Sequence, residues 1–114
     1  MTDGRRATGM AGEDVAAAWY VANGYELVCR NWRCRAGELD LVVRHGPTFV
    51  FCEVKTRRGT GFGLPAEAVT YEKRQRIRHL AARYIQESKV RPATIRFDVA
   101  SVLGDELEII EGAF

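Results

Sequence analysis

Gly37-Glu38-Leu39-Asp40-Leu41-Val42-Val43-Arg44-His45-Gly46-Pro47-Thr48-Phe49-Val50-Phe51-Cys52-Glu53-Val54-Lys55 holds two apolar runs, 41–43 and 49–52, around a Gly-Pro break. Short runs rich in Val and Phe and bounded by Gly and Pro read as buried strands. Gly46 suits the positive φ of the first central position of a tight hairpin turn, and Pro47 the negative φ of the second. A two-residue loop pairs His45 with Thr48, and counting back along both strands sets Asp40 opposite Glu53. An odd-length loop would shift the pairing by one and separate them. Directly opposed Cβ atoms lie roughly 4.5–5.5 Å apart, so two carboxylates there repel unless a cation joins them. Lys55, two residues beyond Glu53, shares its strand face. Charges at the ends of buried strands are costly to desolvate without a partner of opposite sign.

The flanking sequence extends this hairpin in both directions. Thr8 or Gly9 through Asn23 reads as a helix with an apolar stripe of Ala11, Val15, Ala18, Trp19 and Ala22, stopped by Gly24. Tyr25 to Arg33 alternates, with Tyr25, Leu27 and Cys29 on one face and Glu26, Val28 and Arg30 on the other, and reads as a first strand. Glu38 to Arg44 and Thr48 to about Thr56 are the second and third. The stretch Arg57-Arg58-Gly59-Thr60-Gly61-Phe62-Gly63-Leu64-Pro65 has the composition of an irregular loop, either a basic flap or a plain connector. Thr70 to Glu87 reads as a long helix with a stripe of Ile77, Leu80, Ala81, Tyr84 and Ile85. Thr94 to Leu103 and Glu106 to Ile110 complete the strands. Trp19, Tyr25, Tyr84 and Phe97 are core candidates. The helix between the third and fourth strands permits one parallel pairing in an otherwise antiparallel sheet. The expectation is one α/β domain over residues 1–114 with residues 1–8 disordered. Its mixed five-stranded sheet is flanked by helices in the order α-β-β-β-α-β-β.

A chain of 114 residues, 46% hydrophobic and 28% charged, has the make-up of a single globular domain. No apolar stretch approaches the roughly 20 residues that span a bilayer. The opening Met1-Thr2-Asp3-Gly4-Arg5-Arg6 carries no apolar signal core, so a cytoplasmic location and no membrane partner are expected. Cys29, Cys34 and Cys52 are an odd count at irregular spacing, which argues against a disulfide framework. With His45 they match no familiar zinc spacing. The net charge of +2 conceals an asymmetry: residues 54–91 carry ten Lys or Arg against three Glu, while residues 92–114 carry one Arg against five acids. A basic middle segment after a carboxylate cluster suits a polyanionic substrate, although a solvated helix face has the same composition.

Asp40 and Glu53 are hard oxygen donors, suited to Mg²⁺ or Mn²⁺. A lysine beside them can orient or deprotonate water, or neutralise charge on a phosphate. Metal-assisted phosphodiester hydrolysis is one reading of these three residues. The other is a pair of strand-end charges matched to Lys55 or Arg44.

An Asp followed by Glu-x-Lys on the neighbouring strand of a helix-flanked meander resembles the PD-(D/E)XK nuclease superfamily, which includes restriction enzymes and archaeal Holliday junction resolvases. More closely, the chain is similar to the YraN-type family of small bacterial proteins. The matching stretches are Gly12-Glu13, Gly24-Tyr25, Arg30-Asn31, Gly37-Glu38-Leu39-Asp40-Leu41, Glu53-Val54-Lys55-Thr56-Arg57, Phe62-Gly63, Glu67-Ala68-Val69, Lys73 and Arg96-Phe97-Asp98-Val99. Leu39 departs from the proline that often precedes the superfamily aspartate. The resemblance implies a restriction-endonuclease-like core, with Asp40 and Glu53 as ligands of Mg²⁺ or Mn²⁺ and Lys55 as the catalytic lysine. It also implies that Glu13, on the first helix, completes the metal site, although its helical position reads as solvent-facing. Glu38 shares a strand face with Asp40 and reads as an arginine partner or a neighbour of the metal.

The implied substrate is nucleic acid, DNA rather than RNA, with branched DNA among its forms. Arg57, Arg58, Lys73, Arg74 and Gln75 are the candidates to bind it. Related resolvases act as dimers, which admits a homodimer here. A non-catalytic nucleic-acid-binding module and a protein-interaction module are the alternative functions for the same fold.

Overall fold

The Gly46-Pro47 turn closes as its residues allow: Gly46 takes a φ of 59°, and His45 pairs with Thr48 in a register that runs back to Leu41 opposite Cys52. The computed structural model describes residues 4–57 and 69–114, with the side chains of 4–10 excepted. Its elements are α1 (Gly4–Ala22), β1 (Glu26–Cys34), β2 (Gly37–His45), β3 (Thr48–Arg57), α2 (Tyr71–Ser88), β4 (Thr94–Leu103) and β5 (Glu106–Ile110). The strands form one sheet in the order β1-β2-β3-β4-β5. Only β3 and β4 run parallel, because the α2 crossover returns the chain in the same direction. This is the mixed α/β arrangement expected from the sequence. The glycine-rich stretch read as a flap or connector lies almost wholly outside the described residues, as does Arg58. Among the described residues, no helix is long and apolar enough to cross a membrane.

The helices cover opposite faces of the sheet. Ile77, Leu80, Ala81 and Tyr84 of α2 pack on Val42, Phe49, Phe51 and Val99. On the other face Ala16, Ala17 and Tyr20 of α1 pack on Leu41, Val43, Val50, Cys52 and Ala100. The Thr70 hydroxyl caps α2 by accepting from the Lys73 N–H at 3.3 Å. Cys29 and Cys52 join different clusters on opposite faces, so they cannot share a zinc ion.

Three details correct the sequence reading. First, α1 begins at Gly4 rather than at Thr8 or Gly9. Arg5, Arg6 and Ala7 favour helix and no proline interrupts them. Second, the buried stripe of α1 is Gly12, Ala16, Ala17 and Tyr20, not the stripe through Val15. Val15 is 39% exposed. Small residues win that face because they let the helix axis approach the sheet closely. A Cβ on Gly12 would collide with Thr56 Oγ1 of β3. Third, β1 does not alternate throughout. Its register against β2 slips between Leu27 and Cys29, so Tyr25 packs on the α1 side and Cys29 on the α2 side.

Tyr20 also anchors α1 through a polar contact. Its hydroxyl donates to the fully buried Asp98 at 2.6 Å. Asp98 also accepts from Arg96 Nε and Nη2 at 2.8 and 2.9 Å, and from the Gly112 N–H at 3.0 Å. Burial of a charge is tolerated when its lone pairs are filled in this way.

In an open helix Gly12→Ala would stabilise by about 1 kcal/mol. Here the collision with Thr56 is expected to reverse the sign, costing roughly 1–3 kcal/mol as overpacked sites do. Thr56→Ala in the same chain should restore much of the loss. Urea unfolding of the single and double variants measures both.

Candidate metal centre

The β2–β3 ladder ends at Leu41 opposite Cys52. One step further, where the register sets Asp40 opposite Glu53, a side chain replaces the backbone acceptor: Asp40 Oδ2 accepts from the Val54 N–H at 2.9 Å. Leu39 and Leu41, two apart on one strand, pack on opposite faces, so the regular alternation breaks at Asp40. The sheet opens there. Because Gly12 holds α1 close to β3, the next residue, Glu13, reaches this opening. Carboxylate oxygens of Glu13, Glu38 and Asp40 all lie within 4.8 Å of one another.

Glu53 enters from β3, and its carboxyl group lies beside that of Asp40. Two carboxyl groups so placed resist being charged together. Burial, then the neighbouring Asp40, pushes the Glu53 carboxyl up to about 8. Lys55 offsets part of this from Nζ, 3.7 Å from Glu53 Oε1. Burial also raises Asp40, against the pull of the Val54 N–H and of Glu53. Glu13 is raised by burial too, and a hydrogen bond from Asn31 and the Arg30 charge work the other way. Its Oε1 is buried with no hydrogen-bond donor; Arg30 Nη2 stops at 3.6 Å, while Arg30 Nη1 makes the closer contact, 2.7 Å, to Asp14.

A buried carboxylate oxygen without a donor, facing further carboxylates, is costly as it stands. A hard divalent cation would satisfy it, and a cluster offering only carboxylate oxygen fits Mg²⁺ or Mn²⁺ rather than zinc.

The cationic side of the opening comes from Lys55 and Lys73. The adjacent Lys55 ammonium holds Lys73 below its ordinary range, while Glu53 counters it. Lys73, Arg76, Glu38, Glu53 and Gly37 line a cleft of about 120 Å³.

Asp40, Glu53, Lys55 and Glu13 are therefore gathered in one place, and Lys73 stands at its edge. Glu13 is not solvent-facing: only 13% of its side chain is exposed. Glu38 pairs with Arg33 at 2.9 Å, as an arginine partner should, and also belongs to the acidic cluster. Arg74 is committed elsewhere, donating to the Val69 carbonyl at 2.9 Å and lying over the Phe114 ring. Gln75 is exposed on α2 and Arg57 is half-buried at the end of β3. Trp32 meets Tyr84 edge-on at 5.5 Å and packs against the α2-side core. The residue that sequence reasoning passed over is Asn31, whose amide contacts Glu13. A type of residue tolerant of positive φ, in the middle of a strand, was the available signal.

The model of the family described as "Uncharacterised protein family UPF0102" matches residues 12–102. A UPF0102 protein of Nocardia farcinica is 57% identical over 99 residues, covering 87% of this chain and 78% of its own length. One of Frankia casuarinae is 52% identical over 113 residues, covering 95% and 96%. One of Acidothermus cellulolyticus is 45% identical over 125 residues, covering 96% and 95%.

The raised Glu53 makes a signed prediction for protein freed of divalent ions with a chelator. A carboxyl whose folded pKa lies above its unfolded value contributes stability that is complete below about pH 4.5 and is lost as pH climbs through about 8. The melting temperature is expected to fall by roughly 5 °C between pH 5 and pH 8.5. Glu53→Gln should remove most of that slope, and differential scanning calorimetry across the pH series checks it.

Proposed function

Because the chain belongs to the uncharacterised protein family UPF0102, we propose its function from the site itself: metal-dependent, endonuclease-like hydrolysis of phosphodiester bonds in DNA, branched DNA included. The observation that carries this reading is the buried Glu13 Oε1, left without a donor, on a carboxylate that brings an oxygen within 4.8 Å of oxygens from Glu38 and Asp40. Glu13, Asp40 and Glu53 are the residues that would hold Mg²⁺ or Mn²⁺. Such an ion, when bound, polarises a phosphodiester and makes a nearby water more acidic.

The chain's own groups supply the rest. Lys55, tethered by Glu53, is free to steer a water or to neutralise charge gathering on a phosphate. Lys73 adds a second positive charge at the same edge, which favours a polyanion approaching across the start of α2. The basic run of residues 54–91 extends that attraction beyond the site.

The test is cleavage of four-way junction, flap and linear DNA in Mg²⁺ or Mn²⁺. Wild type is expected to cut, while Asp40→Asn and Lys55→Ala each cut at least 100-fold more slowly. Equal rates in all three would show the assigned residues to be wrong. Salt-sensitive DNA binding without turnover would make the protein a binding module on a nuclease fold instead.

A further inference from the structure

Asn31 sits in the interior of β1 with a φ of 53°, a conformation non-glycine residues rarely adopt within a strand. Among the described residues the other non-glycine case is Lys89, which has an ordinary reason as the C-cap of α2. Asn31 has no such local reason. The pairs Arg30 with Leu41 and Trp32 with Leu39 place it across from Asp40, in the same opening of the sheet.

The conformation has a directional effect. In a regular strand consecutive side chains point to opposite faces. Here Arg30 and Asn31, consecutive in sequence, both reach Glu13 on α1, while Trp32 returns to the α2 side. The Asn31 side chain comes beside the Glu13 carboxylate. Glu13 Oε1 has no hydrogen-bond donor, and a carboxylate oxygen of Glu13 lies within 4.8 Å of oxygens of Asp40 and Glu38.

We infer that Asn31 is a positioning residue: its left-handed backbone turns the amide onto Glu13, so that one carboxylate oxygen is fixed and the other is left to ligate a divalent cation. Asparagine combines the two properties this needs, tolerance of positive φ and a neutral donor. Glycine would allow the backbone and lose the donor. Aspartate would set a further negative charge against Glu13. Groups that orient a metal ligand from behind commonly change metal affinity by 10- to 100-fold when removed. The inference rests on the proposed metal site and adds to it a residue that touches neither ion nor substrate.

The experiment is calorimetric titration of Mn²⁺ into wild type, Asn31→Gly and Lys89→Gly, with the thermal midpoint of each measured alongside. Asn31→Gly keeps the backbone at ease, so its midpoint is expected to equal or exceed that of wild type while its Mn²⁺ affinity drops 10- to 100-fold. Lys89→Gly relieves the same kind of backbone far from the site and should bind Mn²⁺ like wild type. Wild-type affinity in Asn31→Gly, with Mn²⁺ bound normally by wild type, would overturn this inference and leave the metal site standing. A midpoint that falls together with the affinity would also overturn it, showing that Asn31 holds the strand rather than the carboxylate. No Mn²⁺ binding by wild type would overturn the metal site and this inference with it.

Discussion

Mutual repulsion of carboxylates in a partly buried opening is the constraint around which this molecule is built. Asp40 and Glu53 would each be ordinary anions at the surface. Brought together where β2 parts from β3, both are raised by burial, and Asp40 pushes Glu53 up further. Every neighbouring element answers that arrangement. The Val54 N–H is turned to Asp40 rather than to a strand carbonyl, Lys55 leans on Glu53, and Asn31 and Arg30 lean on Glu13. A protein selected only for stability gains nothing from collecting such groups and then half-neutralising them.

The scaffold tolerates this because its stabilising contacts lie elsewhere. The sheet is sealed on both faces, by α2 over one and by the small-residue side of α1 over the other. Asp98 ties Tyr20, Arg96 and the Gly112 amide into one buried knot. Arg96 extends that knot to the Tyr25 hydroxyl at 3.0 Å. The α1 helix is thereby pinned near its C-terminal end. Its N-terminal half, carrying Gly12 and Glu13, is set against the sheet by close packing at Gly12 and by Arg30 of β1, which pairs with Glu13 and Asp14.

Much of this was legible in the residues. The Gly46-Pro47 turn sets the register by short-range sterics, and the pairing of His45 with Thr48 follows from it. The parallel step between β3 and β4 follows from a helix lying between two strands in sequence. The rotation of α1 was not legible from hydrophobicity, because Val15 and Ala18 score as more apolar than the Gly12-Ala16 edge. What decides the face is distance to the sheet, and only small residues allow it. The same rotation turns Glu13 inward, which is why its helical position pointed to solvent. The left-handed turn at Asn31 was hidden for a different reason: alternation arguments treat a strand as uniform, and β1 is interrupted twice, at Val28 and at Asn31. The contact of Arg74 with the Phe114 ring was not legible, because it joins α2 to the far end of the chain.

Those interruptions in β1 carry a benefit unrelated to chemistry. The sheet is open, with β1 at one rim and β5 at the other, and bare rims invite molecules to stack strand against strand. A bulge near Val28 and a left-handed residue three positions later spoil the straight row of amides and carbonyls that such stacking needs. On the far rim the exposed Glu106 and Glu108 do the same by charge. The distortion beside the acidic cluster therefore also keeps the strand from serving as a template for aggregation.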